Sequence, residues 1–264
     1  MDNFQEILSS IDVDALCNIA IASGNTIMAI YNDATQEFDI SFKDDLSPLT
    51  KADKQSHKII KDTLYKLYPD IPLLSEEGAD IDYEERKGWT MYWCVDPLDG
   101  TKEFIKKNGE FTVNISLVIE NHPWLGIIYI PAKQVLYYAN QLIGAWKKEL
   151  NDIPVQIFAQ KNEDFNWTAI GSRTHSSSEE NLILSQYPIK DKIFIGSSIK
   201  FCYIAEGMAQ IYCRTGPTME WDTAAGQAIV ECAGGVVRQL DGTDFVYNKE
   251  SLVNPGFVCL QQNI

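Results

Sequence analysis

The 264-residue sequence is short of positive charge: 22 lysines and arginines stand against 37 aspartates and glutamates, a formal net charge of −15. That balance argues against nucleic acid or an anionic membrane as a partner held by bulk electrostatics. No run of 18 apolar residues occurs, so no membrane span is expected. The N-terminus, Met1-Asp2-Asn3-Phe4-Gln5-Glu6, lacks the basic region of a signal peptide. There is no C-x-x-C. The six cysteines (Cys17, Cys94, Cys202, Cys213, Cys232 and Cys259) are scattered, mostly among apolar neighbours. They read as reduced core residues of a cytoplasmic protein rather than as disulfides or zinc ligands. Internal repeats and low-complexity segments are missing too. What remains is ordinary globular composition in a chain long enough for one large domain or two smaller ones.

Against that background one stretch stands out, Trp93-Cys94-Val95-Asp96-Pro97-Leu98-Asp99-Gly100-Thr101-Lys102-Glu103-Phe104. The apolar run Met91 to Val95 ends in two aspartates spaced i, i+3 around a proline. Carboxylate oxygens suit Mg²⁺, which shares its coordination with substrate phosphates. Pro97 stiffens the turn, Gly100 lets backbone approach a ligand, and a helix starting at Thr101 would offer free N–H groups to an anion. The same residues are also compatible with an ordinary Asp-Gly turn.

In chain order, Val13, Leu16, Cys17, Ala20, Gly24, Ile27, Met28 and Tyr31 recur at helical spacing and predict a long first helix. Residues 38–49 read as a loop or short hairpin. Thr50 and Asp53 have the form of a capping box and open a second helix that Pro69 ends. Ile71 to Ser75 reads as a strand delivering Glu76-Glu77, a pair equally at home on a solvated surface. Phe111 to Ile119 alternates as a half-buried strand should. Residues 125–130, 135–139 and 144–147 follow at hairpin distances, giving a largely antiparallel sheet. Asn151 to Asn166 is polar and irregular. Beyond it strands and helices alternate, with loops at Ser172-Arg173-Thr174-His175, Gly196-Ser197-Ser198-Ile199-Lys200 and Arg214-Thr215-Gly216-Pro217, where α/β folds bind ligands. A helix opens at Glu220-Trp221-Asp222. Trp221 reads as a packing residue beside Asp222.

These pieces resemble the inositol monophosphatase superfamily of Mg²⁺-dependent, lithium-sensitive phosphatases. Asp96-Pro97-Leu98-Asp99-Gly100-Thr101 matches its first signature and Trp221-Asp222-Thr223-Ala224-Ala225-Gly226 its second. Ser75-Glu76-Glu77 and Pro48-Leu49-Thr50-Lys51-Ala52-Asp53 match the two other active-site segments, in the family's order. Lys102-Glu103-Phe104, Asn108-Gly109-Glu110-Phe111, Gly196 to Cys202 and Leu252-Val253-Asn254-Pro255-Gly256-Phe257 resemble its bacterial 3′(2′),5′-bisphosphate nucleotidase branch, the CysQ type. The resemblance implies an α+β fold, a layered αβαβα sandwich. The expected division is an antiparallel-rich N-terminal domain over 1–155 and a smaller α/β domain over 156–264 that supplies Asp222.

It further implies that Glu76, Asp96 and the Leu98 carbonyl bind one Mg²⁺ and that Asp96, Asp99 and Asp222 bind a second, with Glu77 near a weaker third. Thr101, polarised by Asp53, would orient the attacking water. Substrate would touch the metal-site residues together with Gly100, Lys102, Ser172, His175, Gly196 and Lys200. The implied activity is removal of the 3′-phosphate from adenosine 3′,5′-bisphosphate and its sulfated relative, inhibited by Li⁺. An inositol or sugar phosphate phosphatase on the same fold is the rival; a non-catalytic phosphometabolite sensor would not need the Asp53–Thr101 pair. Expected partners are therefore a small phosphorylated nucleotide, neither nucleic acid nor an integral membrane segment. Monomer or homodimer, and peripheral membrane association, stay open.

Overall fold

The computed structural model describes residues 8–33, 41–42, 48–78, 81–159, 166–173 and 177–262. Asp12 caps the first helix, α1 (Val13–Tyr31), by accepting a hydrogen bond from the Ala15 N–H at 3.0 Å. The paired strands β1 (Ser41–Phe42) and β2 (Pro48–Leu49) lead into α2 (Lys51–Leu67). Next come β3 (Leu73–Ser75), α3 (Tyr83–Arg86), β4 (Met91–Asp99), α4 (Thr101–Ile105), β5 (Thr112–Ile119), β6 (His122–Ile130), β7 (Val135–Asn140), β8 (Gly144–Glu149) and β9 (Val155–Ile157). Strands β3 to β9 lie side by side in chain order in one seven-stranded sheet, parallel only between β3 and β4. Helices α1 and α2 cover one face, burying Leu16, Ile27, Ile60 and Leu64 against Trp93, Val113, Ile115 and Ile127. By length and composition α1 would reach across a membrane, but here its apolar side is buried in this layer.

The second half holds β10 (Trp167–Gly171), α5 (Ser178–Leu184), β11 (Ile189–Phe194), α6 (Ile199–Ala205), β12 (Ile211–Arg214), α7 (Glu220–Cys232), β13 (Val236–Gln239) and β14 (Phe257–Leu260). Its five strands are ordered β11-β10-β12-β14-β13, with β10 parallel to both neighbours. Helices α6 and α7 lie between the two sheets: Phe201, Ile204, Trp221 and Ile229 share one core with Tyr92, Val118 and Ile128 on one side and Tyr212 and Phe257 on the other. Gly126 brings α7 down onto β6, since a Cβ there would sit 2.2 Å from the Ala225 carbonyl oxygen. Leu184 and Tyr187 pack on the far face of the second sheet. The layers therefore run αβαβα.

Two expectations change. Strand β5 is buried on both faces, not half-exposed, because α7 covers the side carrying Thr112, Asn114 and Ser116. Its alternation marks a polar buried face rather than a solvated one. Residues 151–159 are not wholly irregular: β9 pairs with β8 and carries the first sheet to Ile157. Val155 and Gln156 are exposed on this edge strand, so it carries little apolar signal. The six cysteines are free thiols, five buried and Cys232 partly so.

Candidate active site

Strand β4 does not stop at Val95. It continues to Asp99, and its pairing with β5 slips between Asp96, opposite Asn114, and Asp99, opposite Thr112. In a regular strand, residues three apart point to opposite faces. The extra residue of this bulge at Pro97-Leu98 turns both carboxylates to one side, and the Leu98 N–H closes it on Asp96 Oδ1 at 3.0 Å. From α2, the Ser56 hydroxyl donates to the Pro97 carbonyl at 2.6 Å and holds the bulge from behind. Gly100 then takes φ 91°, the left-handed region, and α4 begins.

Strand β3 runs parallel to β4 with Ser75 beside Val95, so Glu76 arrives next to Asp96 and makes a side-chain hydrogen bond with it. Asp222 comes from the other half, at the third position of α7, where the Met219 N–H donates to its Oδ2 at 2.8 Å. One carboxylate oxygen each of Asp96, Asp99 and Asp222 lies within 4.8 Å of the others. Burial pushes the Asp96 carboxyl well above its usual range, and Glu76, Asp99 and Asp222 add to that. Burial and then Asp99 push Asp222 up likewise. Such carboxylates keep their charge together only when a cation is shared between them. All-oxygen donors of this kind fit a hard divalent ion.

Beside this cluster, Thr50 and Asp53 form the expected capping box at the start of α2. The Thr50 N–H and hydroxyl both donate to Asp53 Oδ2, at 2.7 and 2.5 Å, and the Thr101 hydroxyl reaches Oδ1 at 3.1 Å. The Leu98 carbonyl is a second acceptor for that hydroxyl at 3.3 Å. Asp53 is 1% exposed; burial raises its pKa to about 6, with the two Thr50 bonds opposing the rise.

A cleft of about 160 Å³ opens over the cluster, lined by Asp99, Gly100, Lys102 and Asp222 together with Ser172, Gly196, Lys200 and Arg214 from the second half. The segments singled out in both halves thus meet, although His175 lies outside the described residues. Two details were not visible in the sequence. The Gly196 N–H is engaged by Glu110 Oε2 at 2.8 Å, so it contributes loop position rather than a free donor. Lys200 is not a solvated cation. Its ammonium is buried, donates to the Ser197 carbonyl at 2.6 Å and the Ile195 carbonyl at 3.5 Å, and sits 5.3 Å from the centre of the Tyr212 ring. Burial lowers its pKa to about 8.

Other site residues escaped sequence reasoning. Ser198 donates its N–H to Asp99 Oδ2 at 2.6 Å, its hydroxyl reaches the same oxygen at 2.5 Å, and Asn114 donates to that hydroxyl at 2.8 Å. Glu110 joins the halves by accepting from Arg173 Nε at 2.7 Å and Nη2 at 2.5 Å as well as from Gly196. Only their loop context, Gly-Ser-Ser and Asn-Gly-Glu-Phe, hinted at either.

The chain is similar to known proteins along nearly its whole length. The CysQ 3′(2′),5′-bisphosphate nucleotidase of Escherichia coli K12 is 45% identical over 246 residues, 93% of this chain and 98% of the relative. That of Haemophilus influenzae is 34% identical over 92% of this chain and 90% of its own. The crystal structure of CysQ from Bacteroides thetaiotaomicron superposes with a TM-score of 0.82 at 40% identity, covering 95% of this chain and 98% of that one. At 20% identity, the Thermotoga maritima IMPase shares the fold with a TM-score of 0.77 over 94% of this chain and 91% of its own. With residues 11–262 matching the family as a whole, the chain belongs to the inositol monophosphatase family.

Proposed function

We propose that the protein is a Mg²⁺-dependent 3′(2′),5′-bisphosphate nucleotidase that removes the 3′-phosphate of adenosine 3′,5′-bisphosphate. One observation carries the reaction type: three carboxylates from two halves of the fold, Asp96 buried and Asp99 and Asp222 half-buried, converge beside a Thr101 hydroxyl already bonded to Asp53. The substrate class rests on the bisphosphate nucleotidases that the chain matches along almost its entire length.

Asp96, Asp99 and Asp222, with Glu76 and the Leu98 carbonyl, would hold the ions. Bound Mg²⁺ supplies charge for the phosphoryl oxygens and a more acidic water. The chain's own residues do the positioning that dominates phosphoryl transfer. Because the Thr101 hydroxyl can give its proton to Asp53, its lone pairs face outward to accept from a water and orient it. Asp53 acts as the acceptor behind that hydroxyl. Gly100 and Lys102 at the start of α4 lie on the cleft and offer donors to the phosphate. In the same cleft, Arg214 and the buried Lys200 would provide positive charge for a second phosphate. Ser172 and His175 would complete the nucleoside contacts, and Li⁺ would inhibit.

Phosphate release with Mg²⁺ from adenosine 3′,5′-bisphosphate and from inositol 1-phosphate, measured in parallel, tests this. Faster release from the nucleotide is expected. A preference for the inositol ester overturns the substrate, and release from neither overturns the enzyme.

A further inference from the structure

Glu220 is 0% exposed, carries an ionisable carboxyl two residues before Asp222, and has no part in the chemistry above. It is saturated by donors: the Asn248 N–H at 2.8 Å, the Lys249 N–H at 3.0 Å, the Lys249 ammonium at 2.6 Å and the Tyr92 hydroxyl at 3.3 Å. Lys249 in turn donates to Asn254 Oδ1 at 3.1 Å. The Asn254 amide nitrogen then reaches back to the first turn of α7, donating to the Met219 carbonyl at 2.7 Å and the Thr223 hydroxyl at 3.0 Å. Backbone bonds reinforce the loop, with the Glu220 N–H on the Leu252 carbonyl at 3.1 Å and the Asn254 N–H on the Thr218 carbonyl at 2.7 Å.

We propose that Glu220, Lys249 and Asn254 are a positioning unit for Asp222. The inference rests on the reading of Asp222 as a cation ligand. Its logic is local. The N–H of Met219 holds Asp222 Oδ2, and Met219 is the residue whose carbonyl Asn254 grips. The cap of α7 is a methionine, which has no hydroxyl to donate to its aspartate as Thr50 does to Asp53 at α2, so the loop through Asn254 supplies the added restraint. Lys249 performs a second task. Its ammonium compensates the fully buried Glu220 carboxylate, which would otherwise be left as an unpaired charge at the start of α7. Removing partners that orient metal ligands commonly weakens metal binding by about 10–100-fold.

The test is Mg²⁺ titration calorimetry on the full-length protein and on Asn254→Ala, Lys249→Met and Asp222→Asn, with Tm measured for each. Asn254→Ala and Lys249→Met should bind the ion that depends on Asp222 about tenfold or more weakly. Their kcat at saturating Mg²⁺ should fall much less than their half-saturating Mg²⁺ concentration rises. Asn254→Ser, which keeps one hydrogen-bonding group, should shift less and covers the case in which the alanine variant does not fold. A lower Tm with unchanged Mg²⁺ affinity would reduce the loop to a structural brace and overturn the proposal. If Asp222→Asn loses an ion while Asn254→Ala binds like the wild type, only the positioning unit fails. If Asp222→Asn binds like the wild type, the reading of Asp222 itself fails.

Discussion

Helices α2 and α7 open in the same way, with an aspartate at the third position accepting a hydrogen bond from the backbone N–H of the capping residue. Their chemistry diverges because of what surrounds the remaining oxygens. At α2 the cap is a threonine, and protein donors engage both oxygens of Asp53. At α7 the cap is a methionine. Among the described residues no hydrogen bond engages Asp222 Oδ1, and the carboxylate instead faces Asp96 and Asp99. A carboxylate satisfied by protons within the chain is suited to orienting another side chain; one left facing other carboxylates is suited to a cation. Local sequence sets the helix end, and the neighbours set the function.

The sharpest way to break this comparison is Asp222→Asn. It should lose one bound Mg²⁺ and about a thousandfold in kcat/KM, as expected when several kcal/mol of charge stabilisation disappear. Wild-type stoichiometry by calorimetry would remove the contrast. Asp53→Asn should behave differently, with kcat reduced about 100-fold or more and the Mg²⁺ dissociation constant within about twofold of wild type. Loss of an ion on this substitution would make the two aspartates equivalent.

A third expectation concerns pH. The carboxyls of Asp53, Asp96 and Asp222 are raised above their unfolded values. In the metal-free protein their contribution to stability is therefore full below pH 4 and lost as pH rises, through about 6 for Asp53. Mg²⁺ competes with those protons, so its stabilising effect should grow from pH 5 to pH 7.5. At a hundred times its dissociation constant it is worth about 2.7 kcal/mol, roughly 5–10 °C in Tm for a chain of this size. Equal Tm shifts at both pH values would show that the carboxylates are not the ligands.

Thr50→Ala sharpens the α2 side alone. Losing the cap should cost about 1 kcal/mol, seen as a Tm lower by roughly 2–4 °C. The Thr50 bonds hold the Asp53 pKa down, so the Asp53 titration followed by NMR in the metal-free protein should move to higher pH. The smallest effect belongs to Lys58→Ala, which removes an exposed ion pair with Asp62 farther along α2. Stability should change by less than about 0.5 kcal/mol, and a larger loss would mean that the helix body, not its capped end, governs the site.

Much of this was legible in the residues. The i, i+3 and i, i+4 pattern of α1 and the Thr50–Asp53 box are local signals, complete within a turn or two of chain. The resemblance carried the two signatures and their order. Other features were not legible, for reasons of geometry. Asp96 and Asp99 share a face only through a bulge, and a bulge is defined by the partner strand, which linear spacing does not show. The buried polar face of β5 looked solvated because alternation reports two environments without saying what covers either one. Nothing beside Gly-Ser-Ser shows that the Lys200 ammonium is buried and held by the Ile195 and Ser197 carbonyls, because it is the folded shape of the loop that brings those carbonyls onto it.

By itself, then, the sequence determined the helices, the strand runs, the acidic residues that could seek a metal and the family, since each is written in short-range pattern or in side-chain chemistry. Only the tertiary structure decided which aspartate is satisfied and which is open. It also decided that Ser198 pins Asp99 and that the loop through Asn254 holds the start of α7. The reason is physical. A carboxylate's role depends on the donors and charges within a few ångströms, and here they come from segments 99 residues apart for Ser198 and Asp99 and 35 apart for Asn254 and Met219.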